Sequence, residues 1–181
     1  MKLIIASDIH GDIDCTNALL SVFEKEKADK LVLLGDILYH GPRNDLPAGY
    51  NPKKVITALN EIADKIICVR GNCDAEVDQM VLSFPIMNDF RYIEADGLRI
   101  FATHGHHYNQ DTPPPQMSKG EILIHGHTHI PKCERFGENY CMNPGSISIP
   151  KGGYKPSYMI YENRSFVIKD FDGGVIFSIT L

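Results

Sequence analysis

Two aspartates, an asparagine and four histidines stand where one chain could gather them around metal. Asp8 and His10 follow the apolar run Leu3 to Ala6 in "SDIHGD", Asp36 closes "LVLLGD", and Asn72 follows "IICVRG". His104 closes "IFATH", and His127 and His129 close "EILIHGHTH". The i, i+2 spacing of Asp8 and His10 lets both side chains point one way from extended backbone. Oxygen and imidazole donors suit Mn, Fe, Zn, Ni or Co, whereas the scarcity of thiolates at these strand exits argues against a sulfur-rich zinc or iron-sulfur site. Seven donors are too many for one ion. Two ions about 3.5–4 Å apart, sharing a carboxylate, would use them all, and such a pair activates water and clamps a phosphoryl group.

Taken singly, Asp8 and Asp36 read equally well as capping or turn residues, and Asn72 as a turn residue. Their common placement favours ligation. Six of the eight histidines fall between positions 104 and 129, immediately after buried runs, which scattered surface histidines would not do.

The elements that must position these groups come from hydrophobic periodicity. Short apolar runs alternate with helix-like segments in the first half, the βα pattern of a layered α/β protein, in which ligands bind beyond the carboxyl ends of the strands. "CTNALLSVFEKEKA" spaces Leu19, Leu20 and Phe23 as a helix behind a possible cap at Asp14, and "PKKVITALNEIAD" begins at Pro52 with Val55, Ile56, Leu59 and Ile62 on one face. After Phe84 the texture becomes strands and tight turns: a hairpin about Asp96-Gly97, the buried run "EILI", and a tail of three strands joined by "ENR" and "DGG". This predicts two packed sheets flanked by helices. Gly41 to Pro52 and Asn109 to Gln116 read as surface loops.

With 181 residues, no internal linker, 43% hydrophobic residues and a net charge of −5, one domain over residues 1–181 is expected, without the basic surface that strong nucleic-acid binding needs. "MKLIIAS" is too short an apolar run for a signal peptide or a membrane span, so a cytoplasmic protein without membrane association is expected. Five cysteines (Cys15, Cys68, Cys73, Cys133, Cys141) without a C-x-x-C indicate neither a disulfide framework nor a structural zinc site.

The ordered segments Asp8-Ile9-His10, Gly35-Asp36, Gly71-Asn72-Cys73-Asp74, His104 and Gly126-His127-Thr128-His129 resemble the calcineurin-like metallophosphoesterases over essentially the whole chain. "HGPRN", "VRGNCD" and "SIPKGG" bring it nearer to the small prokaryotic YfcE-type phosphodiesterases. The resemblance implies an α/β fold, a four-layer α-β-β-α sandwich with two packed mixed sheets, and hydrolysis of a small phosphodiester substrate by a metal-bridging hydroxide. It implies two divalent ions, Mn first and Fe, Ni, Co or Zn as substitutes. Asp8, His10 and His129 would hold one, and Asn72, His104 and His127 the other, with Asp36 bridging and Arg70 or nearby cations meeting developing charge.

Cys73 departs from the pattern: most of the superfamily has a histidine there that, with the adjacent acid (here Asp74), assists the leaving group. A thiol titrates near ~8.5 and is a poor proton donor at neutral pH, which restricts the enzyme to good leaving groups and leaves His106 as the replacement. Tyr39 matches the ligand tyrosine of purple acid phosphatases, but their D-x-G is D-x-H here, so it reads as a loop or packing residue. His40, His107 and His125 read as structural. Asn143 and Lys151 either shape the cleft or build a turn, and Arg43 either meets a phosphate or a surface carboxylate. The competing reading is a non-catalytic protein-interaction scaffold of the same fold; a phosphomonoesterase or nuclease is less favoured. Edge strands in the β-rich half would support a homo-oligomer.

Overall fold

The computed structural model describes residues 1–115 and 117–181. β1 (Lys2–Ala6) is the centre of the design, because its apolar residues feed two cores at once. Leu3 and Ile5 face one way into a core between two sheets, while Ile4 and Ala6 face a core under helices. β2 (Lys30–Leu33) repeats this, with Val32 inward and Leu31 and Leu33 outward. Strands buried on both faces read as unbroken apolar runs, and for that reason these two are conspicuous in the sequence.

The helices α1 (Ile13–Lys25) and α2 (Pro52–Asn60) cover the outer face through Leu19, Phe23, Val55 and Leu59. The α1 cap is Asp12, whose carboxylate accepts from Cys15 N at 2.9 Å; Asp14, the expected cap, lies in the first turn. Asn51 caps α2, and Pro52 occupies its first turn. The helix stops at Asn60, so Ile62 packs from beyond its end.

β3 (Ile66–Cys68) and the single-turn α3 (Glu76–Gln79) follow. The hairpin about Asp96-Gly97 joins β4 (Phe90–Ala95) to β5 (Leu98–Thr103), and β6 (Ile122–Ile124) is the "EILI" run. Next comes a hairpin not expected from the sequence, β7 (Lys132–Phe136) and β8 (Asn139–Asn143). β9 (Ser157–Glu162), β10 (Ser165–Asp170) and β11 (Val175–Thr180) are the three tail strands. They do not join the β-rich half: the first sheet runs β11-β10-β9-β1-β2-β3, the second β4-β5-β6-β8-β7.

Both sheets are mixed. β1, β2 and β3 are parallel, as are β5, β6 and β8, and the remaining pairings are antiparallel. The fold is therefore an α/β sandwich with two packed mixed sheets. On the far side, Phe101, Leu123 and Cys141 are covered by Tyr108 and Met117 of the segment between β5 and β6, which supplies the last layer. The expected loops from Gly41 to Pro52 and from Asn109 to Gln116 are loops over 41–51 and 109–115, whereas Pro52 opens α2 and Gln116 lies outside the described residues. All five cysteines are free thiols. No helix among the described residues is long and apolar enough to cross a membrane.

Candidate metal centre

The carboxyl ends of β1, β2, β3, β5 and β6 meet at one edge of the sandwich. There the backbone is unusual: Asp8, His10, Asp36, His127 and His129 have φ of 57°, 48°, 56°, 65° and 61°. Left-handed backbone costs a non-glycine residue of order 1–3 kcal/mol and persists where the surroundings impose it. Here the loops lace together, with His10 N on the Asp36 carbonyl and Gly11 N on the Ile37 carbonyl, both 2.9 Å. Asp8 and His10 thus converge through left-handed turns; the extended-backbone rationale for their spacing does not hold.

Asp8 Oδ1 is 3.3 Å from His129 Nε2 and 3.7 Å from His10 Nε2. Asp36 Oδ2 is 3.7 Å from His10 Nε2 and 3.5 Å from His104 Nε2, and His104 Nε2 is 3.0 Å from Asn72 Oδ1. Three imidazoles are aimed by their outer nitrogens: Nδ1 of His10, His104 and His129 donates to the carbonyls of Tyr39, Leu34 and Ile149 at 2.8, 2.7 and 2.6 Å. That fixes the tautomer that leaves Nε2 as the inward lone pair, the arrangement metal-ligating histidines adopt. Asn72 and His127 stand at the mouth, the His127 ring 5.1 Å from that of His104.

Asp8 Oδ1 is buried and has no hydrogen-bond partner among the described residues. A buried carboxylate oxygen left so is costly unless a cation meets it. Burial raises the Asp8 carboxyl, yet the neighbouring His129 and His104 imidazoles outweigh this and hold it well below the usual carboxylate range. Burial lowers His10 and His127, whereas Asp8 overcomes burial to raise His129. Asp8, His10 and His129 form one donor group with all atoms within 4.8 Å; Asp8, Asp36 and His104 form another, and His10, Asp36 and Cys73 a third. These nitrogen and oxygen donors fit divalent cations.

The remaining expected site residues divide. The half-buried Cys73 thiol borders the cluster and is pushed far up by burial and then by Asp36. The His106 ring lies 5.3 Å from that of His104, tilted by 60°, and burial and its histidine neighbours push it down to about 4. Arg70, expected to meet developing charge, and Asp74, expected to assist the leaving group, do not line the cleft beside the cluster. Arg70 Nε donates to the Asp74 carbonyl at 3.3 Å and its Nη2 lies 4.0 Å from Glu76, outside the cleft. Asp74 is buried, its oxygens accepting from Asp36 N, Ile37 N and Gly71 N at 2.9, 2.9 and 2.7 Å.

In their place, Arg43, Asn44 and Lys151 line a polar cleft of about 330 Å³ together with Asn72, Cys73, His127 and His129. Tyr39 contributes only its carbonyl to the cluster. Asn143 Nδ2 donates to the Gly126 carbonyl at 2.7 Å and Thr128 Oγ1 at 3.0 Å, ordering the "HGHTH" loop. Ser146 and Ser148, absent from the sequence reading, both donate to the Asp8 carbonyl at 2.8 Å. Only the turn-rich "NPGSIS" hinted at them. Gly126 packs so closely that a Cβ would collide with Ser7 Oγ and come within 2.7 Å of Asp8 Oδ2. Gly126→Ala should weaken Mn binding about 10–100-fold by calorimetric titration, as disturbed ligand support does; unchanged affinity would remove Gly126 from the site's construction.

These strand exits and their lattice of donors are those of a phosphoester hydrolase class: residues 1–165 match the calcineurin-like phosphoesterase superfamily domain, and the chain belongs to that superfamily. Members of this class work with divalent metal ions. The chain is 50% identical over 163 residues to phosphodiesterase YfcE of Escherichia coli, covering 90% of this chain and 88% of that one. The crystal structure of the Escherichia coli phosphoesterase YfcE superposes with a TM-score of 0.97 at 46% identity, covering 99% of both chains. A phosphodiesterase of Methanocaldococcus jannaschii is 26% identical over 151 residues, 80% of this chain and 83% of its own.

Proposed function

We propose that this chain is a single-domain cytoplasmic phosphodiesterase that uses two divalent metal ions to hydrolyse a small phosphodiester. The orphaned, buried Asp8 Oδ1, surrounded by inward imidazole nitrogens, carries the reading. Asp8, His10 and His129 would hold one ion and Asn72, His104 and His127 the other, with Asp36 between them; Mn suits this donor set. When bound, such a pair supplies water of lowered pKa and draws charge from the phosphoryl oxygens.

The chain's own part is binding and orientation. Arg43 and Lys151 bring two cations to the cleft from separate loops and meet the non-bridging phosphate oxygens. Arg70 and Asp74 act as positioning residues, since neither faces the cleft. Cys73 presents a thiol where an imidazole would serve as acid, so departure of the leaving group depends on its own acidity. Two relatives named as phosphodiesterases support a diester over a monoester.

Metal-stripped protein reloaded with Mn, Fe, Co, Ni or Zn should hydrolyse bis(p-nitrophenyl) phosphate only when loaded, and should turn over p-nitrophenyl phosphate far more slowly. Turnover without metal, or none with any ion, would sink the proposal.

A further inference from the structure

Beside the metal cleft lies a second, larger groove of about 400 Å³, within the size range of small-molecule sites. Leu38, Tyr39, Tyr50, Ile56, Val77 and Val81 line it, so it is apolar where the cleft is polar. Tyr39, Val77 and Val81 are 42%, 64% and 45% exposed. These exposed apolar side chains share one depression instead of being scattered singly over the surface.

The two depressions share a wall, for Cys73 lines both. Its sulfur also lies within 4.8 Å of ligand atoms of His10 and Asp36. The groove therefore begins one side chain away from the place where phosphorus would sit. It is also preformed. The Tyr39 carbonyl is tied to His10 Nδ1, and Tyr50 packs edge-on to His40 at 5.4 Å between ring centroids. Gln79 holds the far wall by accepting from Ile86 N and donating to the Leu82 and Phe84 carbonyls.

The geometry points to this groove as the subsite for the organic group of the substrate: a flat, apolar ester substituent of aromatic size, seated next to the phosphoryl group. The assignment rests on the phosphodiesterase reading above. A sugar or glycerol group would find fewer partners there than in the polar cleft, because the polar groups are the Tyr39 and Tyr50 side chains with Lys53 and Asp78 on the rim, and Asp78 Oδ2 already accepts from Ala75 N at 2.9 Å. Cys73 suits the junction, being a small side chain shared by the walls of both depressions.

Non-hydrolysable phosphonates isolate the effect from catalysis. By calorimetry on the Mn-loaded protein, phenylphosphonate should bind roughly tenfold more tightly than methylphosphonate, the preference expected from burying one aromatic face. In Val77→Glu/Val81→Glu, two exposed positions that the fold tolerates, that preference should fall to within about twofold while the affinity for inorganic phosphate stays unchanged. Equal binding of the two phosphonates by the wild type, or a preference that survives in the variant, overturns the assignment. So does a lower oligomeric state of the variant than of the wild type with the preference intact, which would make the groove a self-association surface. Failure of the phosphodiesterase reading looks different: inorganic phosphate would then gain nothing from Mn, and even a methyl aryl diester would go unhydrolysed.

Discussion

Asp36→Asn should lower metal-dependent hydrolysis of bis(p-nitrophenyl) phosphate by about a thousandfold, with the fold preserved. Asp36 Oδ2 is the carboxylate oxygen that lies near both halves of the cluster, 3.7 Å from His10 and 3.5 Å from His104. Removing its charge would take away the anion proposed to hold two cations together, and several kcal/mol of transition-state stabilisation correspond to about 10³ in rate. The amide retains an oxygen for the hydrogen bond that Asp36 Oδ1 accepts from Cys73 N at 2.8 Å, so the loops stay tied. Steady-state rates at saturating Mn, beside an unchanged circular dichroism spectrum, test this. A loss smaller than tenfold would deny Asp36 a bridging position.

Asp74→Ala should destabilise the protein by about 2–4 kcal/mol, or roughly 5–15 °C in Tm for a chain of this size. Three backbone N–H groups from two loops converge on this one buried carboxylate, and alanine would leave all three without a partner. Each orphaned buried donor costs about 1–3 kcal/mol. The total is less than the sum because burial pushes the Asp74 carboxyl up to about 6, so its charge is itself held at some cost that the variant no longer bears. The same bonds hold Asp36 opposite Asn72, and Mn affinity should fall with stability. Urea denaturation and Mn titration measure both, and an unmoved midpoint would show that the three amides find other acceptors.

How much of this was legible in the sequence depended on burial. The runs ending at Asp8, Asp36, Asn72, His104 and His129 stand out because their strands are covered on both faces. The β7–β8 hairpin escaped notice because "KCERF" lies at a sheet edge and is mostly half-exposed, giving no apolar run to read. The alternation in the tail revealed three strands but could not say which sheet they would join, since pairing partners are set by topology. Asp12 and Asp14 are both sound caps by type, and only the positive-φ turn at Gly11 decides between them. The resemblance suggests chemical roles for Arg70 and Asp74, yet the turn after β3 ties Arg70 to the Asp74 carbonyl and spends the Asp74 carboxylate on backbone amides, which no motif reveals. Ser146 and Ser148 act through hydroxyls across about 140 positions, a distance over which composition carries no signal.

Because β1 sits between β2 and β9, with Lys2 paired to Glu162, β1 is completed by a strand about 160 positions further along the chain. At about 5–20 residues per second, its partner leaves the ribosome roughly 10–30 s later. The Asp8 loop waits as long for the hydroxyls of Ser146 and Ser148. A growing chain therefore exposes its aspartates and histidines before it can arrange them, and the candidate metal centre takes its shape only once residues 146–162 have emerged.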